Sequence, residues 1–210
     1  MIIAIDGTLA SGKGTIAREL AAHFRLPHMD TGRLYRATGV AALQAGVSFE
    51  DSDSLAAIAS GLDPAVFTEA ELRTAEAGSA ASKVAAVTKV RAALLKLQKD
   101  FAHQPGGAVL DGRDIGTVVC PEADVKLWVD ADLDIRANRR HRELVAAGES
   151  ITIDEMIAQL RERDERDRNR KDAPMRMAAD AVLIDTTHLT IDAAVEKARA
   201  AVEAVLARQE

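Results

Sequence analysis

Five short strand-like runs punctuate the chain, and each is followed by an aspartate. Ile2 to Ile5 run into Asp6, His28 and Met29 into Asp30, Ala108 to Leu110 into Asp111, Val125 to Val129 into Asp130, and Ala181 to Ile184 into Asp185. Apolar runs this short, without alternation, suit strands covered on both faces. Between them the period is helical. Ile16, Leu20 and Phe24 recur every four residues before Pro27 stops the first helix, and an Ala-rich helix opens at Arg33 and runs to about Gly46. Asp51 to Ser54 offer N-caps to a short helix closed by Gly61, and the stretch from Asp63 to Gly78 is polar and helix-forming. One helix is expected from about Ser79 to Phe101, with Val84, Val87, Leu94 and Leu97 on a broad face, before a turn at Pro105-Gly106-Gly107. Another begins near Asp132. Thr152 and Glu155 form a capping box ahead of Met156 and Leu160, and Thr190 or Asp192 caps a last helix bearing Val195, Ala198, Val202 and Leu206. Strands alternating with helices predict an α/β domain with a parallel five-stranded sheet flanked by helices. Ligands of such sheets lie beyond the carboxyl ends of the strands, where the polar residues of this chain gather.

The first of those ends carries a motif. Gly7, Thr8, Leu9, Ala10, Ser11, Gly12, Lys13, Gly14 and Thr15 follow the first strand and lead into a helix. Gly7 and Gly12-Lys13 have the spacing of a phosphate-cradling loop, whose backbone N–H groups surround an anion while the lysine reaches the outer phosphates. Gly14 stands where a Ser or Thr usually offers its hydroxyl to magnesium, so the expectation is an ion reached by Thr15 one place later and held mostly through water.

Composition narrows the classes. At 210 residues and 48% hydrophobic the chain suffices for one core, and with 3% aromatics that core is aliphatic. The net charge of −6 speaks against a general binder of nucleic acid or anionic membranes. No apolar stretch approaches ~18 residues, and Met1-Ile2-Ile3 has no basic leader, so neither a membrane span nor a signal peptide is expected. A lone cysteine, Cys120, excludes an internal disulfide and fits packing in a reducing cytoplasm. A monomer is expected, since no exposed apolar stripe stands out.

Anion binding must then come from local clusters. Arg33 and Arg36 follow Asp30-Thr31-Gly32, with Arg91 and Arg113 further on. Alone, the first two read as a solvated helix face; beside a phosphate loop they read as guanidinium forks for a second phosphate. Between Arg161 and Lys171 arginines alternate with acids, either a solvated helix laced with ion pairs or a phosphate clamp. Arg163, Asp167 and Arg170 are four and three apart, which places them on one helix face and favours the clamp. A loop lysine, arginines on an acceptor and an arginine-rich lid that excludes water are the parts of a small kinase.

The sequence resembles the nucleoside monophosphate kinases, and among them the bacterial cytidylate kinases. Gly12-Lys13-Gly14-Thr15 carries the first likeness. Asp30-Thr31-Gly32 with Tyr35-Arg36, Ala80 to Ala85 leading to Val90-Arg91, Asp111-Gly112-Arg113-Asp114 with Gly116 to Val119, and Arg163 through Arg170 carry the second, nearly end to end. The resemblance implies a P-loop nucleoside monophosphate kinase fold in three parts: a core of 1–30, 84–145 and 173–210, an acceptor-binding part of 31–83 and a lid of 146–172. It implies that Thr31, Arg36, Arg113 and the lid arginines, Arg163 and Arg170 among them, hold the acceptor phosphate or the transferring group. It implies that Ser82, Arg91 and Asp114 read cytosine, whose amino group suits an acceptor such as Asp. Tyr35 and Asp167 complete the expected acceptor site. The family often has Ser where Thr31 stands, and an antiparallel strand insert for which Asp63 to Gly78 is too short and too helical.

The expected activity is ATP-dependent phosphorylation of CMP and dCMP in pyrimidine nucleotide metabolism, with Mg²⁺. Lys13, Arg113, Arg163 and Arg170 are the catalytic set. Asp111 is either an acid of the magnesium shell or only an orderer of its loop. The rival readings are a P-loop kinase of UMP, AMP or another small metabolite, which Ser82, Arg91 and Asp114 oppose, and a nucleotide-binding module without turnover, which Lys13 and the lid arginines oppose.

Overall fold

In a computed structural model describing residues 1–208, five parallel strands lie in the order β2-β3-β1-β4-β5. They are β1 (Ile2–Gly7), β2 (His28–Asp30), β3 (Ala108–Gly112), β4 (Val125–Asp130) and β5 (Val182–Asp185). β1 is central because neither of its faces tolerates water. Ile3 and Ile5 pack with Ile16 and Leu20 of α1 (Lys13–Phe24) and with Ala198 and Val202 of α9 (Ile191–Leu206). Ala4 turns the other way, onto Leu110, Ile115, Val119 and Cys120. Cys120 is buried and its thiol is pushed up to about 12 by burial, so it is an inert packing residue.

The register aligns the strand ends. Ile5 pairs with Asp111 and Asp6 with Trp128, while Asp30 pairs with Asp111 and Asp130 with Asp185. Asp6, Asp30, Asp111 and Asp130 therefore stand along one edge. Gly7 closes β1 at φ +152, where a Cβ would lie 1.9 Å from the Val129 carbonyl oxygen, so only glycine lets β1 and β4 approach here.

Between β2 and β3 the described residues form helices and no strand. They are α2 (Thr31–Gln44), α3 (Ser52–Ser60), a 3₁₀ turn at Pro64–Val66, α4 (Glu69–Leu72), α5 (Ala75–Val84) and α6 (Thr88–Ala102). Asp30 and Asp51 cap α2 and α3 through the amides of Arg33 and Ser54. The single helix expected over Ser79–Phe101 is corrected: the chain breaks at 85–87, because Ala81, Val84, Ala85, Val90 and Leu94 must all reach one cluster with Leu34, Tyr35 and Leu55. A straight helix could not bend round that cluster. Leu97 is exposed, and Gln98 takes the buried position, donating to the Leu94 carbonyl at 3.1 Å.

After β3 comes a turn of π-helix at Ile115–Val119, then β4, α7 (Leu133–Ala146) and α8 (Ile153–Asn169). Ala137, Leu144, Met156 and Leu160 join α7 to α8, and the Thr152–Glu155 capping box starts α8 as its sequence predicts. Thr190, not Asp192, caps α9, accepting from the Ala193 amide.

Candidate active site

The loop between β1 and α1 is shaped by its neighbours. Gly12 takes φ +93 as the residue before α1, and Ala10 φ 61, so the chain doubles back and leaves the helix N-terminus without a side-chain cap. The first amides of α1 are thus open to an anion. Ser11 Oγ donates to the Thr8 carbonyl at 3.0 Å, Thr8 Oγ1 to Asp130 at 2.6 Å, and Thr186 Oγ1 to the Ser11 carbonyl at 2.8 Å. These bonds make the loop rigid without occupying its concave side. Lys13 lies back along the loop with Nζ 3.4 Å from the Thr8 carbonyl. Burial lowers its pKa to about 7, helped by the nearby Arg113 charge and opposed by Asp111 and Asp30.

Across from the loop stand Asp30, Thr31 and Asp111. Thr31 Oγ1 donates to the Asp111 carbonyl at 2.8 Å, and His28 Nε2 meets Asp111 Oδ1 at 2.8 Å. Arg36 Nη2 donates to Asp30 at 2.6 Å, while its buried Nε has no partner. Arg33 leaves the cleft altogether: it reaches Glu69 and the carbonyls of Pro64 and Phe67, tying down the segment before α4.

The far end is a lattice of acids and arginines. Asp114 pairs with Arg91, which lies over the Tyr35 ring at 5.5 Å, and accepts from Arg170 Nη2 at 3.1 Å. Asp167 sits 3.4 Å from Arg113 and 4.0 Å from Arg163. Burial lowers the Arg163 pKa to about 10, and its Nε, like that of Arg36, is buried without a hydrogen-bond partner. Ser82 accepts from Arg166 Nη1 at 2.8 Å.

A model of the cytidylate kinase family matches residues 3–204. The chain belongs to the cytidylate kinase family. It is 58% identical to the cytidylate kinase of Cereibacter sphaeroides over 96% of this chain and 94% of that protein. It is 56% identical to that of Xanthobacter autotrophicus over 97% of this chain and 98% of the relative. Among solved structures, an uncharacterized protein from Eubacterium ventriosum superposes with a TM-score of 0.54 at 13% identity, covering 97% of this chain and 98% of that one, which speaks for the fold alone.

One cleft brings together Ala10, Gly12, Lys13, Gly14 and Thr15 of the loop with Thr31, Tyr35, Arg36, Ser82, Arg91, Asp111, Arg113, Asp114, Arg163, Asp167 and Arg170. Gly7 and Ser11 do not line it; they hold the loop's shape. Arg163, Asp167 and Arg170 all line the cleft. Arg170 is the residue that ends α8, with φ −61 still helical and ψ 144 extended, so its side chain keeps the helical direction while the chain beyond turns away. Asp167 lies between Arg113 and Arg163, and Arg170 meets Asp114. Residues 171–173 do not continue α8, and Arg170 Nε donates to the Ala173 carbonyl.

Three residues were missed. Arg140 of α7 lines the cleft and donates to the Arg73 carbonyl at 2.9 Å, a partner 67 residues away that no local pattern signals. His28 braces Asp111 from β2. Asp6 accepts the amides of Ile115 and Gly116, both at 2.8 Å, and thereby holds the loop bearing Arg113 and Asp114 against the end of β1. Burial pushes its carboxyl up to about 7.

Proposed function

We propose that the chain transfers the terminal phosphoryl group of ATP to CMP and dCMP, with residues 31–83 as the acceptor-binding part and 146–172 as a lid. The observation that carries the site assignment is the gathering of Arg36, Arg113 and Arg163 in one cleft that has the phosphate loop at one end and Asp114 at the other, with the buried Arg36 Nε left without a hydrogen-bond partner. A buried guanidinium nitrogen without an acceptor wants an anion. Arg36 opposite the loop suits the acceptor's phosphate, and Arg113 and Arg163 on either side of Asp167 suit the group in transit.

The acceptor oxygen is already anionic, so no general base is required. The open amides of α1 and Lys13 bind the β- and γ-phosphates, while Thr31 and Arg36 bind the acceptor phosphate. Arg113 and Arg163, steadied by Asp167, offset charge spreading over the transferring oxygens. Arg170 starts on Asp114 and is released toward the phosphates when the base amino group takes that carboxylate. Arg91, stacked on Tyr35, and Ser82 complete the base wall. The donor's nucleoside suits the second opening beside the loop, lined by Gly12, Thr15, Arg139, Arg142, Leu189 and Ile191.

Thr15 and Asp111 offer hydroxyl and carboxylate oxygens, the hard donors Mg²⁺ prefers, and Asp111 Oδ2 faces the loop 3.8 Å from where a Cβ on Gly14 would stand. These residues fit an ion that keeps most of its shell as phosphate and water. When bound, Mg²⁺ would supply positive charge that offsets the charge of the phosphates.

An assay of ADP release with CMP, dCMP, UMP and AMP tests the reading. CMP and dCMP are expected to dominate; equal turnover of UMP or AMP removes the cytosine assignment. Asp114→Asn keeps the shape of the side chain and should cut kcat/KM for CMP by roughly 100-fold, in the range expected when a buried donor–acceptor match to the substrate is lost, with ATP binding little changed. Unaltered CMP kinetics would remove Asp114 from the base wall.

A further inference from the structure

Three helical hydroxyls invite comparison. Thr38 Oγ1 donates to the carbonyl four residues back, Leu34, at 2.9 Å, and Ser60 Oγ does the same to Ala56 at 2.8 Å. This is the usual outlet for a hydroxyl inside a helix. Ser82, on α5, does not use it. The carbonyl four residues back belongs to Gly78, and it accepts from Arg163 Nη1 at 2.8 Å. The Ser82 oxygen accepts from Arg166 Nη1 at 2.8 Å. Two arginines three apart on one face of α8 therefore take both members of a bond that α5 would otherwise make within itself.

Arginine is a donor only, so Arg166 must use a lone pair of Ser82. The Ser82 hydrogen is left over, on a side chain only 3% exposed that lines the cleft with Arg91 and Asp114. Glu162 pairs with the other terminal nitrogen of Arg166 and fixes its plane. We propose that Arg166 is a positioning residue for base selection: when α8 packs on α5, it sets the Ser82 hydroxyl as a fixed donor facing the acceptor base. This rests on the cytidylate kinase reading above, in which Asp114 takes the base amino group. The ring nitrogen beside that amino group is a bare acceptor in cytosine and an N–H in uracil. A fixed donor welcomes the first and opposes the second. With α8 withdrawn, Ser82 can turn back to Gly78, and the wall loses that discrimination. Base choice is thus made most strictly in the closed form that transfers phosphate.

The test is kcat/KM for CMP and UMP in wild type, Ser82→Ala, Arg166→Met and the double variant, with melting temperatures taken alongside. Arg166→Gln carries the comparison if the Met variant fails to fold. Each single change is expected to lower the CMP-over-UMP preference about tenfold, the scale of one charge-assisted hydrogen bond. The double variant should be no worse than Ser82→Ala, and Arg166→Lys should recover part of the loss. Losses that multiply in the double variant, equal losses on both nucleotides, or a Ser82→Ala variant with full preference would each overturn the proposal. Wild type without any CMP preference overturns the reading beneath it as well; retained preference with multiplying losses overturns this inference alone.

Discussion

Lys13 is placed where its charge is costly until a ligand arrives. Burial and the Arg113 charge bring its pKa down to about 7, so near neutrality much of it is uncharged in the free chain. Phosphates beside it restore the charge. Above pH 7, ATP binding should therefore take up a proton, and affinity should weaken as pH rises. Calorimetry at pH 8 in buffers of different ionisation heat is expected to report an uptake close to one proton in wild type and none in Lys13→Met. The same variant should lose on the order of 100-fold in kcat, the scale of one oriented donor to a developing anion. Asp6 follows the opposite rule. Its folded pKa of about 7 lies above the ~3.9 of an unfolded Asp. Its contribution to stability is therefore complete below pH ~4 and is lost as pH climbs through 7. Unfolding of wild type and Asp6→Asn, compared at pH 5 and pH 8, should show the wild-type advantage shrinking at pH 8; an advantage constant with pH would remove the titration from Asp6.

At the scale of elements, the base wall depends on how closely α5 approaches α2. A Cβ on Gly39 would lie 2.8 Å from Ala80 Cβ and 2.9 Å from its backbone carbon, so the helices touch through a glycine. Backbone cannot yield as a flexible side chain can. Gly39→Ala should lower stability by about 1–3 kcal/mol, the usual cost of overpacking, and should raise KM for CMP by moving Ser82. Denaturant melts with CMP kinetics measure both; a variant as stable as wild type would mean the helices slide apart freely. The break between α5 and α6 serves the same wall. It lets Arg91 near the start of α6 come back beside Asp114, and α5 carry Ser82 to the same cleft.

Across the whole molecule, two segments distant in sequence are joined over the cleft. Glu149 accepts the Ala75 amide at 2.9 Å, Arg140 reaches the Arg73 carbonyl, and Arg163 and Arg166 reach Gly78 and Ser82. The chain as a whole is acidic at −6, yet its cleft gathers Arg36, Arg91, Arg113, Arg140, Arg163 and Arg170. Nucleotides are therefore drawn to the cleft against the net charge, and this attraction is screened by salt. The Debye length falls from about 30 Å to about 8 Å between 0.01 and 0.15 M ionic strength. KM for CMP should rise over that range while kcat changes less; a KM indifferent to salt would show that only short contacts matter.

Some of this was decided by residues close together in the chain. The apolar runs specified the strands, the glycine-lysine spacing specified the loop, and Thr152 with Glu155 specified the start of α8, because each depends on neighbours a few residues apart. The acceptor segments carried the family for the same reason. What the tertiary structure alone decided involves partners far apart in sequence. Arg33 and Arg36 look alike along the chain, but α2 turns one onto the segment before α4 and the other into the cleft. Asp6 finds the amides of Ile115 and Gly116, and His28 finds Asp111, because strand register places them together. Arg170 meets Asp114 because the end of α8 is packed against the loop after β3. Ser82, an ordinary helical serine in sequence, becomes a directed donor only because two arginines of α8 lie against it.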